Sequence, residues 1–379
     1  MINILINLAP LKAGGGQNVG LNLLAGLEMI EDKNIALFYY VSSGSLIGEK
    51  VKKQFPEKTI EGPHNTVKRV LFERIELGKY LKKKKIDVIY SCFGYAFVSR
   101  KYKQVCGMAE SNIMFPEIDF WKEYTGLKRL IKNCIDVYRK WGYKRADALI
   151  FENEAMYKRT KQIFGSEKRA TYIKPSISLS VNTGNFSFDR IYKDSLVGLF
   201  LCGWQLNKNI MCIPSLISEA EKLGKHFEII ITVNESDESS IARAFKMKLE
   251  ELNVKKSVHM VGRVERKNLS ALYEKIDFVF LLSRLESFSN NIIEAWYYQK
   301  PLVISDEEWA QGICKNAAIY VNRDNPADIA KSIIESIENN IVKGIIQKGI
   351  EEYKTYPSIQ ERTRQEISYV KDIYETTQV

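Results

Sequence analysis

Histidine is scarce in this chain, with three residues at 64, 226 and 259 among 379, too scattered to suggest a cluster. No Asp, any residue, Asp triplet occurs. The nearest acidic groupings are Asp306-Glu307-Glu308, in a loop after a strand, and Asp324 with Asp328 at a helix start, where capping explains them. No convergent metal ligands are therefore expected. The six cysteines, at 92, 106, 134, 202, 212 and 314, form no close pair and no metal-ligand spacing, so a reducing cytoplasm is the simplest setting. No apolar run is long enough to span a bilayer. The first ten residues lack a basic leader and run into a glycine turn, so they read as a first strand and not a signal peptide. Internal repeats and low-complexity segments are also missing.

What is present is enough for two cores. A chain of 379 residues with 45% hydrophobic content exceeds one ordinary compact core, and its formal charge of +10 suits anionic partners such as nucleotide diphosphates, lipid headgroups or nucleic acid. The strand Ile2 to Leu8 is followed by Gly14-Gly15-Gly16 and by Val19, Leu23, Leu24 and Leu27 at helical spacing. Such a turn presents bare N–H groups to an anion. It does not meet the dinucleotide fingerprint, because position 19 is Val and the strand Ala36 to Val41 ends in serines with no acid for a ribose. Further strands are expected at 88–90, 104–108 and 148–151, alternating with helices, which makes the class α/β. The four lysines at 82–85 read as a helix C-terminus and not as a nucleic-acid site. From Leu127 to Trp141, apolar residues recur at helical spacing, with Lys128, Arg129, Lys132, Arg139 and Lys140 opposite. The expected reading is a helix packed on the N-terminal domain with a solvated basic side; a membrane-surface helix has the same signature. Lys174-Pro175-Ser176 and the polar run after it read as a linker before the strand Val197 to Cys202.

The chain is organised around Ile276 to Ser305. A continuous β-branched and aromatic run reads as a strand buried on both faces, Ser289 with Asn290 and Asn291 reads as a capped helix start, and Lys300-Pro301 stops the helix before the run Leu302 to Ile304. This is a strand, helix, strand unit of a parallel sheet. Glu286 lies in the loop beyond the first strand, where open α/β sheets bind ligands. Glu294 sits among Ile292, Ile293, Ala295 and Trp296, where a carboxylate needs hydrogen-bond donors that a ligand's hydroxyls would supply.

Glu286-Ser-Phe-Ser-Asn-Asn-Ile-Ile-Glu294-Ala resembles the Glu, seven residues, Glu motif of the retaining glycosyltransferases of family 4. The resemblance implies the GT-B fold, two Rossmann-like, doubly wound parallel-sheet domains facing across a cleft. By this likeness residues 1–172 are the acceptor-side domain, 173–195 the hinge and 196–358 the nucleotide-sugar domain, with a terminal helix in 359–379 packing back on the first. It implies transfer of a sugar from a UDP- or GDP-linked donor to a glycan or lipid-linked acceptor, in bacterial surface polysaccharide synthesis, without cofactor or metal.

Carried over residue by residue, the catalytic candidates are Glu286, Lys208 and Glu110. The substrate-binding candidates are Gly15, Gly16, Ser111, Gly203, Gln205, Asn207, Arg263, Phe288, Ser289, Asn290, Asn291 and Glu294. Two departures stand out. Where the family commonly carries a histidine after the strand at 104–108, this chain reads Ala109-Glu110-Ser111-Asn112, and Trp204 replaces the arginine that often follows Gly203. The expected setting is the cytoplasm, with peripheral attachment to an anionic inner membrane face and no nucleic-acid partner. A nucleotide-sugar epimerase of the same fold, or a non-catalytic nucleotide-sugar or lipid-phosphate binding protein, are the alternatives.

Overall fold

The computed structural model describes residues 1–97, 101–176 and 184–376. The chain divides into two compact units, one of Met1–Ser178 with Pro357–Val379 and the other of Leu179–Tyr356. The expected linker, 173–195, lies partly outside the described residues, at 177–183, and its part from 184 belongs to the second unit.

In the first unit, β1 (Ile2–Asn7), β2 (Ile35–Ser42), β3 (Thr59–Gly62), β4 (Val88–Ser91), β5 (Lys103–Met108), β6 (Ala148–Phe151) and β7 (Arg169–Tyr172) form one sheet in the order β3-β2-β1-β4-β5-β6-β7. All neighbours run parallel. The central strands are short apolar runs buried along their length, as a sheet covered by helices on both faces requires. Helix Gly14–Glu28 buries Leu23, Leu24 and Leu27 on this sheet. The terminal helix Ile359–Glu375 packs against it, and the crossing depends on Gly26, where a Cβ would stand 2.0 Å from Thr363 Oγ1. A buried ionic cluster adds to that contact: Arg362 reaches Glu152 at 2.6 Å and Glu366 at 2.8 Å. Loss of one partner would strand a buried charge, at about 3–5 kcal/mol.

Helix Gly126–Arg145 does not follow its expected packing. Gly142 and Tyr143 are its buried residues, while Leu127 (70% exposed), Leu130 (58%) and Val137 (70%) face solvent. Leu130, Ile131, Cys134, Ile135 and Tyr138 line an open apolar hollow of about 350 Å³. Periodicity marked the stripe correctly, but no described residue of the first unit buries Leu127, Leu130 or Val137. The helix meets its surroundings through Tyr138 and Tyr143, both edge-on to Tyr95, and through polar groups: Arg74 donates to Tyr138 Oη at 3.0 Å, and Asn112 and Trp121 donate to Asp136.

In the second unit, β8 (Leu196–Phe200), β9 (Phe227–Ile231), β10 (Val258–Met260), β11 (Phe278–Leu281), β12 (Leu302–Ser305) and β13 (Ile319–Val321) form a parallel sheet in the order β10-β9-β8-β11-β12-β13. Fully buried Glu228 pins the segment entering β8, accepting from Ile191 N at 3.0 Å, Tyr192 N at 3.1 Å and Ser195 Oγ at 2.5 Å, with His259 Nε2 at 2.9 Å. Burial alone would raise its carboxyl, but the Ser195 hydroxyl and the two backbone N–H groups hold it below the ordinary value. Among the described residues no helix is long and apolar enough to cross a membrane.

Candidate active site

The strand order of the second sheet reverses at β8. Chain progress runs outward through β9 and β10 on one side and through β11, β12 and β13 on the other. The connections leaving the carboxyl ends of β8 and β11 therefore lead to opposite sides of the sheet, and such a reversal is where open sheets usually form a ligand crevice.

Those two loops are stitched together. Asn207 O accepts from Arg284 N at 2.9 Å, and Asn207 Nδ2 donates to Leu285 O at 3.1 Å. Asn291 Nδ2 donates to Leu201 O at 3.1 Å, which ties the following helix to the β8 loop. Lys208 Nζ lies 2.5 Å from Glu286 Oε1, so two candidates far apart in sequence share one ion pair. Asn209, next in the chain, takes the left-handed conformation with φ of 63°. Gly203 and Gln205 are exposed on the same loop.

Helix Asn290–Tyr297 starts at this crevice. Ser289 occupies its N-cap position with extended backbone, but its side chain makes no cap hydrogen bond, contrary to the capping expected from sequence. The first-turn N–H groups at Asn290 and Asn291 are thus not satisfied by a serine hydroxyl. Phe288, half-buried, lies with its ring centre 6.2 Å from that of Tyr356. One turn into the helix, the Glu294 carboxylate accepts from Tyr273 Oη at 3.4 Å. Burial pushes Glu294 up to about 7, against the opposing pull of the Tyr273 hydroxyl and of Arg266. A carboxylate held this way is short of donors.

Gly262 follows β10 with φ of +70°, and a Cβ there would stand 2.7 Å from Asn234 Oδ1. The turn is closed to other side chains, and Arg263 beside it is exposed. In the first unit, Gly15 and Gly16 fall in the opening turn of helix Gly14–Glu28, after β1, and a Cβ on Gly15 would meet nothing within 4 Å. Glu110 and Ser111 follow β5. Glu110 is not a free base: Tyr143 Oη donates to it, and Arg139 Nε lies 3.7 Å away. Ser111 is buried.

Sequence reasoning singled out Asn207 and Trp204 in the second unit's loops but passed over Ser283 and Arg323. Trp204 Nε1, Asn207 Oδ1, Ser283 Oγ and Arg323 Nε are buried without a hydrogen-bond partner among the described residues. Asn209 Nδ2 donates to Arg323 O at 2.6 Å, which brings the β13 loop beside the β8 loop. Buried polar atoms are nearly always paired, so a concentration of orphans marks a place where something polar is missing. Only asparagine at a position needing a left-handed turn could have signalled Asn209 in advance. Among the described residues no three His, Cys, Asp or Glu side chains converge as metal ligands.

Residues 240–353 match the family model described as glycosyl transferases group 1. A GalNAc-α-(1→4)-GalNAc-α-(1→3)-diNAcBac-PP-undecaprenol α-1,4-N-acetyl-D-galactosaminyltransferase from Campylobacter jejuni is 23% identical over 356 residues, 91% of this chain and 85% of that protein. Among solved structures, sucrose-phosphate synthase from Thermosynechococcus elongatus superposes with a TM-score of 0.71 at 13% identity, covering 99% of this chain and 100% of the other. Anabaena HepE in complex with UDP and glucose gives 0.66 at 14% identity, covering 98% and 100%. The fold is GT-B. Together with the group 1 match, these likenesses support a glycosyltransferase. In this GT-B protein the matched segment contains helix Asn290–Tyr297, Glu286 and Glu294.

Proposed function

We propose that the protein transfers a sugar from a nucleotide-diphosphate sugar to the hydroxyl of a glycan or lipid-linked acceptor, with retention at the anomeric carbon. The observation that carries this reading is the Lys208–Glu286 pair at the strand-order reversal, beside the open start of helix Asn290–Tyr297. The bond from the anomeric carbon to the phosphate oxygen breaks, and a bond to the acceptor oxygen forms on the same face as the acceptor passes its hydroxyl proton to the leaving diphosphate. Negative charge grows on the leaving diphosphate. Lys208 and the N–H groups near Ser289, Asn290 and Asn291 stabilise it, a task that fixed donors do well in a dry site. Glu286 holds hydroxyls of the sugar and Glu294 those of the ribose, while the Gly262–Arg263 turn receives the base. Gly15, Gly16, Glu110 and Ser111 belong to the acceptor-binding unit. The donor is UDP- or GDP-linked, as suits a group 1 glycosyltransferase, and no metal takes part.

The Campylobacter jejuni relative is named for an undecaprenol-diphosphate-linked acceptor. A lipid-linked saccharide of bacterial surface polysaccharide synthesis is the corresponding acceptor here, reached from an anionic membrane face through helix Gly126–Arg145. Incubation with a panel of nucleotide sugars, with and without a bacterial lipid extract, tests the reading. Transfer to a lipid-extractable product of unchanged anomeric configuration is expected. Rearranged donor without transfer would make the protein an epimerase, and binding without turnover would make it a non-catalytic binder.

A further inference from the structure

Arg323 stands just past the carboxyl end of β13 and is 5% exposed. Among the described residues its guanidinium makes no hydrogen bond. Nε is buried without a partner, and the carboxylate nearest to it, Asp324, lies 3.9 Å away with 69% of its side chain in solvent. An acid so exposed is screened by water and neutralises little. Burial pulls the Arg323 guanidinium below its ordinary range; Asp324 and, more weakly, Glu307 oppose that, and neighbouring Arg284 adds to it. A guanidinium nevertheless stays charged in a protein. A desolvated cation whose nearest acid is distant and solvent-exposed is unfavourable enough that it is seldom kept unless an anion comes to meet it.

The place of this cation is informative. Its carbonyl is held at 2.6 Å by the side chain of Asn209, the residue after Lys208, so the β13 loop is fastened to the loop that carries the phosphate-binding lysine of the proposed function. Lys208 is already matched by Glu286, and that pair brings no net positive charge to an arriving diphosphate. Ser283 Oγ and Asn207 Oδ1, also buried and unpartnered, belong to the same group of loops. We propose that Arg323 is a second phosphate-binding cation of the donor site, supplying the net positive charge that the Lys208–Glu286 pair lacks. The inference rests on the reading of these loops as the donor diphosphate site. It assigns the excess charge to the β13 loop, which lies outside the motif that suggested that site.

The test is calorimetric titration of wild type, R323M and R323K with UDP, GDP, inorganic pyrophosphate and the nucleosides uridine and guanosine, with thermal unfolding of each ligand-free protein. In R323M, the dissociation constants for pyrophosphate and for the bound nucleoside diphosphate should rise about tenfold or more, since a charge-assisted contact is lost. Affinity for the matching nucleoside should stay the same. R323K, which keeps a point charge without the planar fork, should fall between the two. The ligand-free Tm of R323M should not drop, because a poorly neutralised buried cation has been removed; a merely structural arginine would lower it. R323Q replaces R323M if the methionine variant does not fold. Wild type that binds a nucleoside diphosphate, with R323M binding it equally well, would sink this inference alone. Wild type that binds none of UDP, GDP and pyrophosphate would overturn the donor-site reading and this inference with it.

Discussion

Lys208 Nζ and Glu286 Oε1 meet at 2.5 Å across 78 residues of sequence. The two proposed roles, on phosphate and on sugar, are therefore coupled through one hydrogen bond, and each group fixes where the other points. Lys208→Ala should lower kcat/KM by roughly a hundredfold or more, the scale seen when one donor to a developing oxyanion is removed. Glu286→Gln should act chiefly on kcat, because its sugar contacts strengthen as the ring distorts. The double variant should lose much less than the sum of the single losses, as groups acting as a unit do. Steady-state kinetics of the four proteins decides it, and fully additive losses would show that the pair does not act as one.

Glu294, pushed up to about 7 by burial, is poised to change charge near neutral pH. Hydroxyls that donate to it favour the carboxylate, so donor binding should release a proton and tighten as pH rises from 6 to 8. Glu294→Gln should raise the donor Kd, leave kcat nearly unchanged and flatten that pH dependence. Folding responds with the opposite preference. Between the ordinary value of 4.5 and about 7 the folded protein keeps a proton that the unfolded chain has lost, so this group's contribution to stability declines as pH rises through that window and is constant above it. Titration of nucleotide affinity against pH in wild type and Glu294→Gln checks the binding half. Parallel pH profiles in the two proteins would remove Glu294 from the site.

Transfer should continue in excess EDTA. The chain has no Asp, any residue, Asp triplet to hold a divalent cation on the diphosphate. Lys208 and the uncapped start of helix Asn290–Tyr297 are fixed groups able to meet the leaving charge themselves. Activity lost on chelation and restored by magnesium or manganese would mean that the catalytic electrostatics have been misplaced, even with the fold unchanged.

The strand, helix and strand of 276–305 are legible because both signals are local: an unbroken apolar run for a doubly covered strand, and small polar residues where a helix begins. Glu286 and Glu294 inherit their positions from those elements. Their partners do not follow from the sequence. Tyr273, which donates to Glu294, sits in another helix, and Tyr143, which engages Glu110, is 33 residues away. Both contacts are decided by how separate elements pack. Arg323 is hidden for the same reason, since nothing in Val321-Asn322-Arg323-Asp324 separates a buried guanidinium from a solvated one. The failure at Ser289 is of a different kind: the residue type fits the N-cap, and the backbone takes the right shape, but the hydroxyl makes no cap bond.

Helix Gly126–Arg145 leaves the largest consequence of that limit, because a 3.6-residue period shows that a face is apolar and not what covers it. Leu127, Leu130, Ile131 and Val137 are exposed along it, and helix Thr66–Ile75, joined to it through Arg74 and Tyr138, adds Val67, Leu71 and Ile75. Lysines and arginines at 68, 128, 129, 132 and 140 lie on the same two helices, and Lys79 lies on helix Leu77–Lys83. Apolar side chains accompanied by basic ones suit the boundary of an anionic bilayer, where the first enter the acyl region and the second stay among the headgroups. The protein should therefore sediment with anionic liposomes at low salt and be released as salt rises, since screening shortens the reach of these basic residues to about 10 Å at 0.1 M. Leu127→Asp combined with Val137→Asp should abolish sedimentation without changing soluble nucleotide binding, because neither residue belongs to the second unit. Zwitterionic liposomes should recover less protein than anionic ones. Equal amounts in the supernatant with and without anionic liposomes at low salt would rule out membrane attachment through this face.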